Sequence, residues 1–282
     1  MLPEGLNEAN LNKILDAAIT EDIGKGDITS LAVIPKNTQF NGVISAREEM
    51  VCAGLPLLEL IFHRFSEKIS CKPIVDDGIK ITTGAKLAQL QGPAIDLLSA
   101  ERTAINLLQH LSGIATLTRR YVDEIDGTGA ILLDTRKTVP CLRELAKYAT
   151  RIGGATNHRM RLDDGVLIKD NHVAVSGGIA EAMKRAKANK LNNIEVECDT
   201  LTEVEEALEA GADSILLDNM DAKTCAKAVK IVGGRVPTEA SGNINLKTIR
   251  GIAETGVTFI SVGKLTHSAR AANIGLDWNA AS

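Results

Sequence analysis

Aromatic side chains are nearly missing: Phe, Tyr and Trp make up 2% of the 282 residues. That is too few for the stacking platforms on which single-stranded nucleic acids lie. A basic surplus is missing as well. The formal net charge is -4, and neutralising a phosphate backbone requires a positive face, so a general nucleic-acid binder is excluded. The cysteines (Cys52, Cys71, Cys141, Cys198, Cys225) form no C-x-x-C pair, which removes zinc knuckles and thioredoxin-like motifs. Reduced thiols in a cytosolic compartment are the plain reading. No apolar run approaches the length of a membrane span. Met1-Leu2-Pro3-Glu4-Gly5 lack the basic-then-apolar order of a signal peptide. A cytoplasmic protein without membrane or nucleic-acid partners is expected. His158, His172 and His267 show no H-E-x-x-H or comparable spacing, so hydrogen-bonding roles are their default.

What the chain does have is a cluster of cations in its middle. Arg136-Lys137, then Asn157-His158-Arg159, then Lys169 and His172 follow one another between Asp134 and His172. They are interleaved with the apolar runs 130–133 and 166–168, which read as buried strand. Gathering like charges there is costly, because they repel and lose hydration. A bound polyanion is the usual compensation, so a small substrate with several negative charges is expected.

From about residue 193 the chain becomes periodic. Strands are predicted at 194–197, 214–218, 235–239 and 259–262, and by the same scheme at 130–134 and 166–170. Between the later strands, apolar residues fall at helical spacing: Leu201, Val204, Leu208; Cys225, Val229, Val232; Leu246, Ile249, Ala253. Helices at about 141–151 and 178–189 complete the pattern. Such alternation means a parallel sheet with helical crossovers. With six or seven units, an incomplete TIM-like α/β barrel is favoured, its functional groups at the strand ends. The first hundred residues differ. A helix near 7–20 precedes short glycine-punctuated runs at 40–47, 50–53, 69–74 and 79–90, which suggest a small sheet with hairpins. The segment 97–126 reads as helical, bent or divided at Gly113. The predicted organisation is an N-terminal α+β sandwich domain over 1–115, joined by the C-terminal tail 270–282, and a barrel domain over 116–269.

Several segments carry candidate chemistry. Thr135-Arg136-Lys137 follows a buried strand, where Arg offers a planar fork for carboxylate or phosphate and Lys a mobile point charge. His158-Arg159 reinforces it. Lys169, at another strand end, suits an electrostatic role toward a carboxylate better than Schiff-base chemistry. Glu197 and Asp218, on neighbouring strands, suit Mg²⁺ through water or sugar hydroxyls, or pair with the cations. Ser241-Gly242-Asn243 and Val262-Gly263-Lys264 follow the last two strands, where small residues let backbone N–H groups approach a phosphate. Gly263-Lys264 is not a Walker loop, since the upstream glycine is absent and Leu265 replaces Ser/Thr. Glu101-Arg102-Thr103-Ala104 is read as opening a helix outside the barrel, with Arg102 on its surface.

Taken in order, the segments 101–113, 134–138, 157–159, 167–172, 216–220, 239–244 and 261–268 resemble the quinolinate phosphoribosyltransferase family over nearly the whole chain. The resemblance implies conversion of quinolinate and phosphoribosyl pyrophosphate to nicotinate mononucleotide, pyrophosphate and carbon dioxide, with Mg²⁺. It implies a homodimer, with higher assembly open, in which Arg102 reaches the neighbouring subunit's site. It assigns Thr135, Arg136, Lys137, His158, Arg159 and Lys169 to the cationic substrate pocket. Glu197 and Asp218 fall on the ribose and metal side, and Ser241, Gly242, Asn243, Val262, Gly263, Lys264 and His267 in the phosphate loops. Lys169, Glu197 and Asp218 are the expected catalytic set. Val139 and Cys141 stand where the family often has threonine and glycine. The competing expectations are a nicotinate-using phosphoribosyltransferase and a non-catalytic sensor of phosphorylated metabolites.

Overall fold

The alternation read from the sequence is realised, and its phase decides where the charged groups stand. The computed structural model describes residues 3–278. The chain opens with α1 (Glu8–Ile23), α2 (Ile28–Val33), β1 (Gln39–Ala46), β2 (Met50–Val51), α3 (Leu55–Phe62), β3 (Ser70–Pro73), β4 (Lys80–Ile81) and β5 (Lys86–Pro93). It continues through α4 (Ala94–Glu124), β6 (Ile131–Leu133), α5 (Arg143–Ile152), β7 (Val166–Ile168), α6 (Asp170–Ser176), α7 (Ile179–Ala188), β8 (Ile194–Cys198) and α8 (Leu201–Glu209). It closes with β9 (Ser214–Asp218), α9 (Ala222–Val232), β10 (Thr238–Ser241), α10 (Ile249–Ala253), β11 (Phe259–Ser261), α11 (Lys264–His267) and β12 (Ile274–Trp278). Among the described residues, no helix is long and apolar enough to cross a membrane.

Two compact units result. The first holds the residues up to Arg119, Thr138–Gly154 and those from Thr266 onward; the second holds Arg120–Lys137 and Ala155–Leu265. In the first, an antiparallel sheet runs in the order β12-β1-β5-β3, beside a two-stranded β2-β4 pair. The tail from residue 270 enters this unit through β12, while residues 279–282 of the expected segment lie outside the described residues. Its core includes Leu11, Leu15, Leu58, Phe62, Leu90 and Leu108.

Four expectations are corrected here. Gly113 does not divide its helix: α4 runs unbroken for 31 residues. The glycine is needed for close approach, because a Cβ there would lie 2.1 Å from the Arg270 carbonyl oxygen. Glu101–Ala104 does not open a helix but lies inside α4, which starts at Ala94. Helix α5, placed in the barrel by alternation alone, belongs to the first unit. Its buried Leu145, Ala146, Tyr148 and Ala149 join that unit's core. Strand β10 starts at Thr238 rather than Arg235. The Arg235 guanidinium turns back to accept-rich carbonyls of Val232 and Ile231, at 2.9 and 2.6 Å, and so caps α9. Pro237 has no N–H to give a ladder.

The second unit is an incomplete α/β barrel. Six strands lie in the order β6-β11-β10-β9-β8-β7, and every recorded pair is parallel. Successive side chains alternate across the sheet. In β8, Ile194, Val196 and Cys198 are buried on one face, while Glu195 and Glu197 occupy the other. Strands β6 and β7 are the two edges of the sheet. Alongside β6 runs the segment that carries His158 and Arg159, tied by a parallel bridge between Leu133 and Thr156.

Candidate active site

The strand ends of the barrel surround a cavity of about 320 Å³. Its lining includes Thr135, Arg136, Lys137, His158, Arg159, Lys169, Glu197, Asp218 and Ser241, all singled out by the sequence, with Glu239 and Ser261, which open the last two strand-end segments, and Leu167 and Leu216, for which the sequence showed no role. Leu167 with Lys169, Leu216 with Asp218, and Glu239 with Ser241 each follow the two-residue period of a strand. That period, carried one step inward from each predicted strand end, was the available signal.

Local structure fixes the cations. Fully buried Asp134 follows β6 and accepts from Asn157 Nδ2 at 2.6 Å and from the His158 amide at 2.9 Å. One carboxylate thus pins the segment that brings His158 and Arg159 to the cavity. Thr135 Oγ1 accepts from the Lys137 amide at 3.0 Å, which turns the chain after Arg136. The Arg159 guanidinium donates through Nη1 to the Gly165 carbonyl at 2.8 Å. Burial lowers its pKa, and the neighbouring Arg136 charge adds to this. Two guanidiniums held together in this way favour an anion between them.

The acids stand opposite. Lys169 caps α6 from the end of β7, and its ammonium pairs with Glu197 on β8. Asp218, at the end of β9, has its carboxyl pushed up by burial and then by the Glu197 and Asp199 charges. Asn219 Nδ2 donates to Asp218 Oδ2, and Asn219 Oδ1 accepts from Asn243 Nδ2 at 2.8 Å. Asn219 therefore links the acid to the loop after β10. That loop needs glycine at Gly242: φ is +87°, and a Cβ would come within 2.2 Å of Asn219 Oδ1.

A third group is a cluster of three. His158 Nε2 lies 3.4 Å from Glu195 Oε2 and 3.4 Å from Glu239 Oε2. Burial alone would lower the imidazole pKa; hydrogen bonds and charge from the two glutamates outweigh it and raise it to about 9. On the ring's other edge the Arg159 amide lies 2.7 Å from Nδ1. The three side chains offer ligand atoms within 4.8 Å of one another. The raised pKa, however, keeps a proton on Nε2 between the two glutamates, where a metal would have to bind. The cluster is read as proton-bearing.

Not every expected residue lines the cavity. Gly242 and Asn243 lie just past Ser241, and Val262, Gly263 and Lys264 just past Ser261, beyond the lining strand ends. Arg102 and His267 belong to the first unit. Arg102 is 59% exposed on α4, 4.0 Å from Glu101, and His267 Nδ1 meets Ser268 Oγ at 2.6 Å.

Family models match both parts of the chain: quinolinate phosphoribosyl transferase, N-terminal domain, over residues 27–112, and the C-terminal domain over residues 114–277. The sequence is 42% identical to the probable nicotinate-nucleotide pyrophosphorylase (carboxylating) of Bacillus subtilis (strain 168), spanning 96% of this chain and 94% of that one. It is 40% identical to the mitochondrial quinolinate phosphoribosyltransferase (decarboxylating) 2 of Nicotiana glauca, over 95% of this chain and 82% of the other. The crystal structure of nicotinate-nucleotide pyrophosphorylase from Ehrlichia chaffeensis superposes with a TM-score of 0.92 at 43% identity, covering 95% and 98% of the two chains. With its N- and C-terminal parts both matched and its fold shared throughout, the chain belongs to the quinolinate phosphoribosyltransferase family.

Proposed function

We propose that this protein joins the phosphoribosyl group of phosphoribosyl pyrophosphate to the ring nitrogen of quinolinate. Pyrophosphate and carbon dioxide are released, and nicotinate mononucleotide is formed for de novo NAD synthesis. The observation that carries this reading is one cavity holding Arg136, Lys137, Arg159 and Lys169 beside Glu197 and Asp218. Two carboxylates on a pyridine and the phosphates of a sugar donor call for several cations, and each shielded charge-assisted hydrogen bond is worth about 1.5–3 kcal/mol. As the pyrophosphate bond loosens, positive charge grows on the ribose, which Glu197 and Asp218 can stabilise. Lysine and arginine hold the quinolinate carboxylates so that the ring nitrogen faces that carbon. Once the nitrogen is alkylated, the cationic ring stabilises the electron pair left on its carbon as carbon dioxide departs, and that carbon then takes a proton from solvent. No covalent bond to the enzyme is required.

The acids also fit a divalent cation. Glu197, Asp199 and Asp218 crowd one rim strongly enough for their mutual repulsion to help raise Asp218, and hard oxygen donors are what Mg²⁺ takes. Glu197 and Asp218 would hold it through water. When bound, it would neutralise charge on the departing pyrophosphate.

A homodimer with Arg102 shared across the interface is part of the same proposal. It is supported by the exposure of Arg102 and by the apolar face of α2, where Ile28, Leu31 and Val33 are 81%, 65% and 70% exposed. A cytoplasmic setting is supported by the free thiols. The test is incubation with quinolinate, phosphoribosyl pyrophosphate and Mg²⁺, following carbon dioxide and mononucleotide together. Equal yields of both are expected. Turnover of nicotinate but not quinolinate would replace this reading by the mono-acid one, and donor binding without pyrophosphate release would mean a sensor.

A further inference from the structure

We infer that Asn219 is a positioning residue for the sugar-phosphate donor, one that locks the Asp218 carboxylate and the loop 241–243 into a single unit so that both meet the donor together. The inference rests on the function proposed above. Asn219 directly follows β9 and Asn243 lies two residues past β10. Both have left-handed backbone, with φ 55° and 52°, a conformation that asparagine accepts more readily than most residues. Each is followed by a buried apolar residue, Met220 and Ile244, which anchors its turn. Two turns of the same build therefore stand at the ends of neighbouring parallel strands.

Four contacts run through Asn219. Its N–H donates to the Ser241 carbonyl at 2.8 Å, which extends the ladder that pairs Asp218 with Ser241. Its Nδ2 donates to Asp218 Oδ2, and its Oδ1 accepts from Asn243 Nδ2 at 2.8 Å. Its side chain and amide also fill the space beside Gly242, where a Cβ would lie 2.2 Å from Oδ1 and 2.8 Å from the Asn219 nitrogen. Chemistry gives this chain of bonds one direction. A carboxylate only accepts, so the Asn219 amide must turn Nδ2 toward Asp218, and Oδ1 must then face a donor, which Asn243 supplies. The charge on Asp218 thereby sets the orientation of a side chain in the phosphate loop. Both asparagines are exposed, so these bonds add only modestly to folding stability. Their effect falls on geometry. The acid on the ribose side and the loop on the phosphate side keep a fixed separation, and a donor that spans them finds both already placed.

Steady-state kinetics of the full-length protein against each substrate, with Mg²⁺ present, separates this role from a structural one. Asn219→Gly leaves the backbone free to take its left-handed angle, so its melting temperature should hold. Its kcat/KM for phosphoribosyl pyrophosphate should fall about tenfold or more, the worth of one hydrogen bond to a charged group. Its KM for quinolinate should stay within about twofold of the unmodified value, because that acid is held by the cations across the cavity. Asn243→Gly should also lose donor kcat/KM. The double variant should be no worse than Asn219→Gly alone, since both substitutions break one chain of bonds. Unchanged donor kinetics in Asn219→Gly would overturn the inference. So would equal losses for both substrates, or losses that simply add in the double variant. Absence of turnover by the unmodified protein would instead overturn the proposed function.

Discussion

Lys169 holds the pocket's cations against its acids, because its ammonium pairs with Glu197 while its own strand end faces the cavity. Lys169→Ala should cost about 2–3 kcal/mol of transition-state stabilisation, roughly 30- to 150-fold in kcat/KM, with much of it appearing as a higher KM for quinolinate. Steady-state kinetics against each substrate checks the split. A reduced imine trapped on Lys169 would contradict a purely electrostatic role. His158 makes a second prediction, for stability. Its imidazole is raised to about 9 in the folded chain, against about 6.5 when unfolded. The associated stabilisation is fully present below about pH 6.5 and is lost as pH climbs through about 9. Melting temperature should fall across that window, and the fall should be shallower in His158→Asn. Cys141 shows what a single substitution leaves behind: it sits at φ 65°, a conformation glycine accepts freely. The resemblance to the family marked this place as one where glycine is expected, whereas the backbone angle left no trace in the sequence.

Helix α4 depends on one absent side chain. Gly113→Ala improves helix propensity by about 1 kcal/mol, yet its methyl would meet the Arg270 carbonyl at 2.1 Å. Overpacking of this kind costs about 1–3 kcal/mol, so net destabilisation is expected, read from the denaturation midpoint. The sequence alone suggested a bend or a division at Gly113, because a close approach from residue 270 leaves no local trace. The same limit explains other differences. Strands β8 and β9 and helices α8 and α9 announced themselves by period; the structure adds the cap of α8, where Thr200 and Glu203 bond each other's amides. Helix α3 did not: Leu-Pro-Leu-Leu-Glu-Leu-Ile-Phe is apolar on almost every side and buries five of its residues, so no face stands out. The cations and outer acids of the site were readable at strand ends. Glu239 was readable as an acidic strand end too, but Glu195 was not, and only the fold shows that β8 and β10 bring both to the same imidazole.

A shared active site has a distinctive signature in the assembled protein. If Arg102 serves a neighbour's cavity, Arg102→Ala and Lys169→Ala should each be nearly inactive alone. Mixed and re-associated in equal amounts, half the dimers would be hybrid and each hybrid would keep one intact site. About a quarter of normal activity should return. No recovery, with subunit exchange verified, would mean that Arg102 acts within its own chain or not at all.

The barrel's incompleteness has its own consequence. Where further strands would have closed the ring, the chain instead lays a tethered loop, fastened at Thr156 and by Asp134, that carries His158 and Arg159. On the function proposed above, discrimination among acids would reside on a part with little share in the hydrogen-bonded ladder. Evolution, or a protein engineer, can rewrite residues 157–165 toward another anion while the six-stranded frame keeps its register.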